Sequence, residues 1–292
     1  MRLSVSNLIH YVLVGVCIGL VDLVPGVSGG TLAFVFGLWE RLLSSLALLT
    51  SAFGKLLKLS FVDAKNLLIK VDWLLVLPVG FGVVLALFFG ASLIGVLFDS
   101  HEQLLRAFFF GLVLGALPVP FRQIDHWNVL NMALLLVGFS ASFLLSSIPP
   151  PEAFDPPSYF IFLGASVSIC ATILPGLSGS FILLLLGLYE PFINAIRERD
   201  VLTLGMFILG SWFGLLLFVS RVRWLLNHYR NSVLSVLSGM MLGGVRVLWP
   251  WQGESGALSQ FTDFGSLFQI LFCLTLGLMG AVLINKFSNS TK

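Results

Sequence analysis

Residues 25–40 read PGVSGGTLAFVFGLWE, and residues 175–190 read PGLSGSFILLLLGLYE. At a fixed offset of 150 the two stretches share Pro, Gly, Ser, Gly, Gly, Leu and Glu, seven of sixteen positions, and Trp39 falls on Tyr189. A weaker register continues at an offset of 128, where Gly82, Gly111, Leu114 and Gly115 match Gly210, Gly239, Leu242 and Gly243. The 22 residues lost between the registers (150 minus 128) are the size of the stretch 51–72. Self-similarity of this kind marks an internal repeat, and it divides the chain into halves at 1–150 and 151–292.

The composition says where these halves fold. Of 292 residues, 58% are hydrophobic and 10% are charged, and the mean hydropathy is +1.01. A soluble domain carries about 25% charged residues, so a soluble enzyme is excluded, as are disorder and a coiled coil. What remains is an all-α polytopic membrane protein. A net charge of +2 offers no nucleic-acid surface. Cys17, Cys170 and Cys273 lie in apolar runs without metal-ligand spacing, so they read as buried hydrophobes. No metal, cofactor or catalytic residue is implied.

Apolar runs suited to lipid fall at 8–24, 28–50, 73–98, 104–118, 128–147, 159–174, 178–196, 202–219, 231–248 and 264–285. The first runs into Asp22 and Pro25 with no cleavage site, so it is expected to be a membrane element rather than a signal peptide. The stretch KLLKLSFVDAKNLLIK (55–70) spaces Lys55, Lys58, Lys65 and Lys70 with apolar residues. It predicts an amphipathic helix over 51–72 lying on a membrane surface. Five segments per half is an odd number, so the second half enters from the opposite side: two inverted-topology repeats.

A full span beginning at Ser28 would leave Glu40 and Arg41 near the bilayer centre, which is costly. Twelve residues of helix rise roughly 18 Å, about half the ~30 Å core. Residues 8–50 and 159–196 are therefore expected to be re-entrant helical hairpins whose tips, PGVSGG and PGLSGS, meet mid-membrane. Pro25 and Pro175 end the incoming helix. Gly26, Gly29, Gly30, Gly176 and Gly179 allow turns and close approach. Ser28, Thr31, Ser178 and Ser180 can cap the outgoing helix. Its free N–H groups form an anion site suited to phosphate. Bulky substitution at Gly29 or Gly179 is expected to block head-group binding with little loss of folded protein. The G-x-S-G spelling also suits an intramembrane serine protease, but that chemistry needs a base beside the serine. His10, His101, His126 and His228 lie in loops or at segment ends.

Asp22, at the repeat position of Thr172, is a candidate protonation or cation site, a partner for an arginine, or a cap of the turn. Glu40 and Glu190 are expected to anchor the hairpins or to pair with neighbouring bases, Arg41 among them. Arg106 is expected to snorkel, and Arg246 precedes the aromatic WPW (249–251). Lys and Arg gather in alternate loops, which carry Arg2, Arg41, the four lysines, Arg122, Arg221, Arg223, Arg230, Lys286 and Lys292. The opposite loops are 99–103, 149–158, 197–200 and 252–262. The positive-inside rule then places both termini in the cytoplasm.

GLVDLVPGVSGGTLAFVFGLWERL (19–42), LPGLSGSFILLLLGLYEPFINAI (174–196) and GMMLGGVRVLWPW (239–251) resemble the PopT family of bacterial polyprenyl-phosphate translocases over nearly the whole chain. The resemblance implies return of undecaprenyl phosphate from the outer to the inner leaflet of the cytoplasmic membrane, for reuse as the lipid carrier of peptidoglycan and other envelope glycans. It puts weight on Asp22, Pro25, Gly26, Ser28, Gly29, Gly30, Glu40, Arg41, Pro175, Gly176, Ser178, Gly179, Glu190 and Arg246. Trp39 stands where the family usually has Tyr, and Gly243-Gly244 replaces a Gly-Ser-like pair. The residues read by themselves imply an inverted-repeat anion transporter; if protonation neutralises Asp22 as phosphate enters, transport is proton-coupled, and the sequence leaves the coupling ion, protons or cations, open. A soluble-anion transporter and a non-transporting membrane assembly factor are the alternatives.

Overall fold

A computed structural model describes residues 5–149, 151, 155–251 and 264–290. The loop expected at 252–262 and Lys292 lie outside these. The described residues form helices and no strands. In chain order the helices are α1 (Val5–Asp22), α2 (Gly29–Val35), α3 (Trp39–Leu57), α4 (Phe61–Ile69), α5 (Trp73–Leu85), α6 (Ala91–Ala116) and α7 (Pro118–Arg122). They continue as α8 (Val129–Leu145), α9 (Ser158–Ile173), α10 (Gly179–Leu185), α11 (Tyr189–Glu198), α12 (Val201–His228), α13 (Arg230–Gly244) and α14 (Phe264–Ser290). Among the described residues five helices are long and apolar enough to cross a membrane, or up to seven if each of two sharply bent pairs is one span.

Those bent pairs are α2–α3 at 120° and α10–α11 at 108°. Here the sequence expectation needs correcting. Segments 28–50 and 178–196 are each not one helix but a seven-residue tip helix and a second helix turned away from it. The break falls at Gly37 (φ 67°) and Gly187 (φ 69°), which favour the left-handed region that glycine adopts freely.

Two further expectations change. The stretch 51–72 is not a single surface helix. α3 runs on to Leu57, the chain turns at Leu59 (φ 58°), and α4 follows, with Lys55 paired to Asp63 at 2.9 Å. Segments 73–98 and 104–118 divide where expected, but at a kink rather than an open loop: α6 holds two helices that meet at His101 (φ −142°, ψ 42°), and a π-turn at Ala86–Gly90 interrupts the first segment.

Helices pack in four main pairs: α1 with α5, α9 with α12, α6 with α14, and α8 with α13. The glycines of the weaker register sit at these contacts. A Cβ on Gly82 would strike Val12 O of α1, and one on its counterpart Gly210 would strike Phe162 O of α9. Likewise Gly111 abuts Leu274 O of α14, and Gly239 abuts Leu135 O of α8. Small residues at such points let backbones approach where lipid gives no hydrophobic drive between helices.

The polar ends sort into two groups. Arg230 at the start of α13 binds Glu40 through both carboxylate oxygens (2.7 and 3.1 Å) and reaches Gln123 (3.2 Å). Arg41 binds Asp72 at 2.6 Å. At the other end Arg106 holds Glu102 and donates to Val247 O at 2.7 Å, and Arg246 bonds Ser147. α12 joins the ends. It starts at Asp200, whose carboxylate accepts from the N–H groups of Leu202 and Thr203, and it ends at His228 beside Arg230. Hydrogen bonds from Thr203, then Leu202, hold the Asp200 carboxyl below the usual carboxylate range.

Candidate functional site at the hairpin crossing

The two hairpin tips have matched backbones. Gly26 (φ 93°) and Gly176 (φ 90°) make the turn after Pro25 and Pro175. Ser28 and Ser178 then start the tip helices in extended conformation, at φ −112° and −106°. The tips are in contact, joined by four bonds between the halves. Ser28 Oγ donates to Leu174 O (3.2 Å), and Gly176 N donates to Thr31 Oγ1 (3.0 Å). Trp39 Nε1 donates to Ile173 O (2.8 Å), and Tyr189 Oη donates to Leu23 O (3.2 Å). The last two are counterparts: Trp39 and Tyr189 are 150 apart, and so are Leu23 and Ile173.

The capping expectation holds for one residue of four. Ser178 Oγ accepts from Phe181 N at 3.3 Å and shares a hydroxyl bond with Ser180 at 2.9 Å. Ser28 and Thr31 do not cap α2, because their hydroxyls are spent on the opposite hairpin. Asp22 does the capping instead: its Oδ1 accepts from Gly29 N at 2.7 Å. The anion site expected at the first tip thus already faces a carboxylate of the chain itself. At the second tip Thr172 stands in place of Asp22 and donates to Ser168 O (3.0 Å), while Ser168 Oγ donates to Gly179 O (2.8 Å).

This geometry also corrects the expectation for Gly29 and Gly179. A Cβ on Gly29 would enter the Asp22 carboxylate, and one on Gly179 would enter the Thr172 hydroxyl and lie 2.8 Å from Ser168 O. At both glycines the Cβ position is already occupied by the glycine's own hairpin, so bulk there disturbs the hairpin itself. Gly30 lies equally close to the opposite half, its Cβ position 2.9 Å from Thr172 O.

Two voids border the crossing. One of about 10 Å³ lies among Gly26, Ser28, Thr31, Gly176 and Gly244, room for about one water. The other, about 230 Å³, lies beside it. Asp22, Gly29, Gly30 and Thr172 form its polar edge, and residues such as Ile18, Ala33, Leu46, Ile169 and Leu215 form its apolar wall. Trp39 also lines it.

The remaining candidates lie elsewhere. Arg246 lies over the Phe143 ring at 4.7 Å and bonds Ser147, and it lines neither void. Glu40 pairs with Arg230, not with Arg41, which takes Asp72 and Tyr11. Glu190 is exposed and makes no ion pair with a described residue. Arg106 pairs with Glu102 and ties α6 to the turn after α13. Thr172, Trp39 and Tyr189 were not among the expected site residues. Their signal was the 150-residue register, which aligned Trp39 with Tyr189 and Asp22 with Thr172.

A family model described as undecaprenyl phosphate translocase-like matches residues 18–263. A polyprenyl-phosphate transporter of Vibrio cholerae is 33% identical over 246 residues, covering 84% of this chain and 79% of its own. A polyprenyl-phosphate transporter of Staphylococcus aureus is 23% identical over 256 residues, covering 82% of this chain and 85% of its own. No solved structure matches the chain.

Proposed function

We propose, from the premise that this chain belongs to the undecaprenyl phosphate translocase-like family, that it returns undecaprenyl phosphate from the outer to the inner leaflet of the bacterial cytoplasmic membrane. There the lipid is reused as a carrier in peptidoglycan and envelope synthesis. The observation that carries this reading is the crossing of two P-G-x-S-G hairpins beside a cavity with one polar edge and apolar walls. A soluble anion has no use for such walls, whereas the junction of a phosphate and an isoprenoid chain matches both parts.

The head group passes the crossing along Asp22, Gly29, Gly30 and Thr172. The tail stays in lipid, because each buried CH₂ costs about 0.8 kcal/mol to strip from an apolar phase. Irregular backbone at this depth is tolerated where it lines a cavity. Pro25, Gly26, Ser28, Thr31, Pro175, Gly176, Ser178, Gly179 and Ser180 shape the path. Arg246, at the end away from Glu40, meets the phosphate as it arrives from the outer leaflet. Asp22 couples movement to a proton or cation: neutralised, it leaves the Gly29 N–H to the phosphate. Glu40, Arg41 and Glu190 hold the hairpins from a distance and do not touch phosphate.

The halves are inverted repeats with both termini cytoplasmic. Two observations support this. The counterpart bonds of Trp39 and Tyr189 relate the hairpins reciprocally. The basic loops that bear Arg41, Gln123 and Arg230 gather at one end.

A photoactivatable polyprenyl phosphate with its diazirine beside the phosphate tests the site. In proteoliposomes it should label residues around Asp22–Ala33 and Ile169–Thr172, and excess unlabelled polyprenyl phosphate should suppress that labelling. Labelling confined to the α4 region or to α14 would place the head group elsewhere and overturn the assignment.

A further inference from the structure

Trp39 and Tyr189 each donate one ring hydrogen bond to a backbone carbonyl of the opposite half. Both acceptors are ones a helix cannot satisfy. Ile173 is the last residue of α9, and Leu23 follows the last residue of α1. Carbonyls at helix C-termini have no partner within the helix. In a membrane interior such a group stays unpaired only at considerable cost, unless water reaches it.

The two bonds flank the crossing, each acceptor two residues before a tip proline, and the helices that carry the donors lead away to opposite ends of the molecule. Trp39 opens α3 beside Glu40, which pairs with Arg230 at the His228 end of α12. Tyr189 opens α11, which leads to Asp200 at the other end of α12. The 28 residues of α12 make a helix roughly 42 Å long. The bonds between Ser28 and Leu174 and between Thr31 and Gly176 are different in kind. Both of their side chains come from the first half.

We propose that Trp39 and Tyr189 are paired gate latches, one for each leaflet, and that transport alternates by releasing one while the other holds. This rests on the transport reading above. A rotation of one half against the other about the crossing separates the hairpins at one face and tightens them at the other. Separation on the Trp39 side breaks the bond to Ile173 O beside the 230 Å³ cavity that both residues line, where water can replace the indole N–H. Separation on the Tyr189 side does the same for Leu23 O. The central bonds near Gly26 and Gly176 stay close to the pivot. Trp39 and Tyr189 are therefore positioning residues: they set which face opens and do not bind phosphate.

The test needs no substrate. In a background with Cys17, Cys170 and Cys273 replaced by Ala, single reporters Ala33→Cys and Leu183→Cys occupy counterpart positions, both buried (4% and 7% exposed). A membrane-impermeant maleimide reads their labelling rates in proteoliposomes. Loss of one hydrogen bond of ordinary strength should shift opening about fivefold. Trp39→Phe should raise labelling at Ala33→Cys by that factor and leave Leu183→Cys unchanged, and Tyr189→Phe should do the reverse. Trp39→Tyr, which carries the donor its counterpart uses, should restore the native rate. Equal acceleration of both reporters, or of neither, would overturn the proposal. Tyr189→Phe removes only a hydroxyl, so its arm decides the matter alone where Trp39→Phe gives no folded protein. Opposite labelling shifts in a protein that moves no lipid would leave the latches standing and remove the transport reading.

Discussion

Asp22→Asn should flatten the pH dependence of transport while leaving the hairpin folded. The wild-type carboxylate accepts from Gly29 N at 2.7 Å and borders the cavity. Asn keeps an oxygen of the same reach, so the cap on α2 survives, and the volume is nearly unchanged. What it loses is the proton and the charge. With Asp22 negative, phosphate must compete with an anion for the same N–H. With Asp22 neutral, that competition ends. The wild type should therefore move lipid faster as pH falls, by up to about tenfold per pH unit where a single proton limits the rate. The variant should show one rate throughout. Asp22→Ala is the contrasting control, since it leaves Gly29 N without its acceptor at a cost of about 1–3 kcal/mol, visible as lowered thermal stability in detergent. A pH profile in Asp22→Asn that still follows the wild type would reduce Asp22 to a cap.

The second large effect separates two turn glycines that look equivalent in the sequence. Gly26 and Gly176 share a positive φ, so any side chain costs about 1–2 kcal/mol in backbone strain. Their surroundings differ. A Cβ on Gly26 meets the Val247 side chain, with the Val247 Cβ at 2.9 Å, so the short turn Val245–Leu248 must shift. A Cβ on Gly176 meets the backbone of Met241, with the Met241 Cα at 2.7 Å, and α13 cannot move without disturbing its contact with α8. Overpacking of that kind adds about 1–3 kcal/mol. Gly26→Ala should give folded protein that melts a few degrees lower. Gly176→Ala should lose about 2–5 kcal/mol in all and most of its folded yield, as read by size-exclusion chromatography in detergent. Equal losses at the two positions would show that the inter-half contact at Met241 is not as tight as the structure has it.

Much of this was legible in the sequence because the repeat made residues speak in pairs. The hairpin tips, their glycine turns and the small residues at helix crossings all followed from two offsets. The bend at Gly37 and Gly187 did not. Both glycines stood in the aligned motif, but rise per residue measures only length, and the turn is set by α3 docking on α12. Ion-pair partners were also out of reach. Glu40 stood beside Arg41 in sequence, yet Arg230, 190 positions away, takes it. Spacing along one helix carries no record of a partner delivered by the fold. The same holds for Ser28 and Thr31, whose hydroxyls suit a cap as well as they suit the opposite hairpin. Asp22 was singled out for its depth and charge, and its bond to Gly29 spans only seven residues. Choosing it over Ser28 as the cap required knowing that the other half occupies Ser28.

The central claim, that this chain carries undecaprenyl phosphate across the bilayer by way of the hairpin crossing, is tested most directly by reconstitution. Purified protein in liposomes loaded with fluorescent undecaprenyl phosphate should move the lipid from the outer to the inner leaflet, read by loss of accessibility to a membrane-impermeant quencher. Movement should quicken when the outer side is made more acidic, and Asp22→Asn should remove that response. Liposomes that keep the lipid in its original leaflet, with folded wild-type protein and under either pH gradient, would contradict the account.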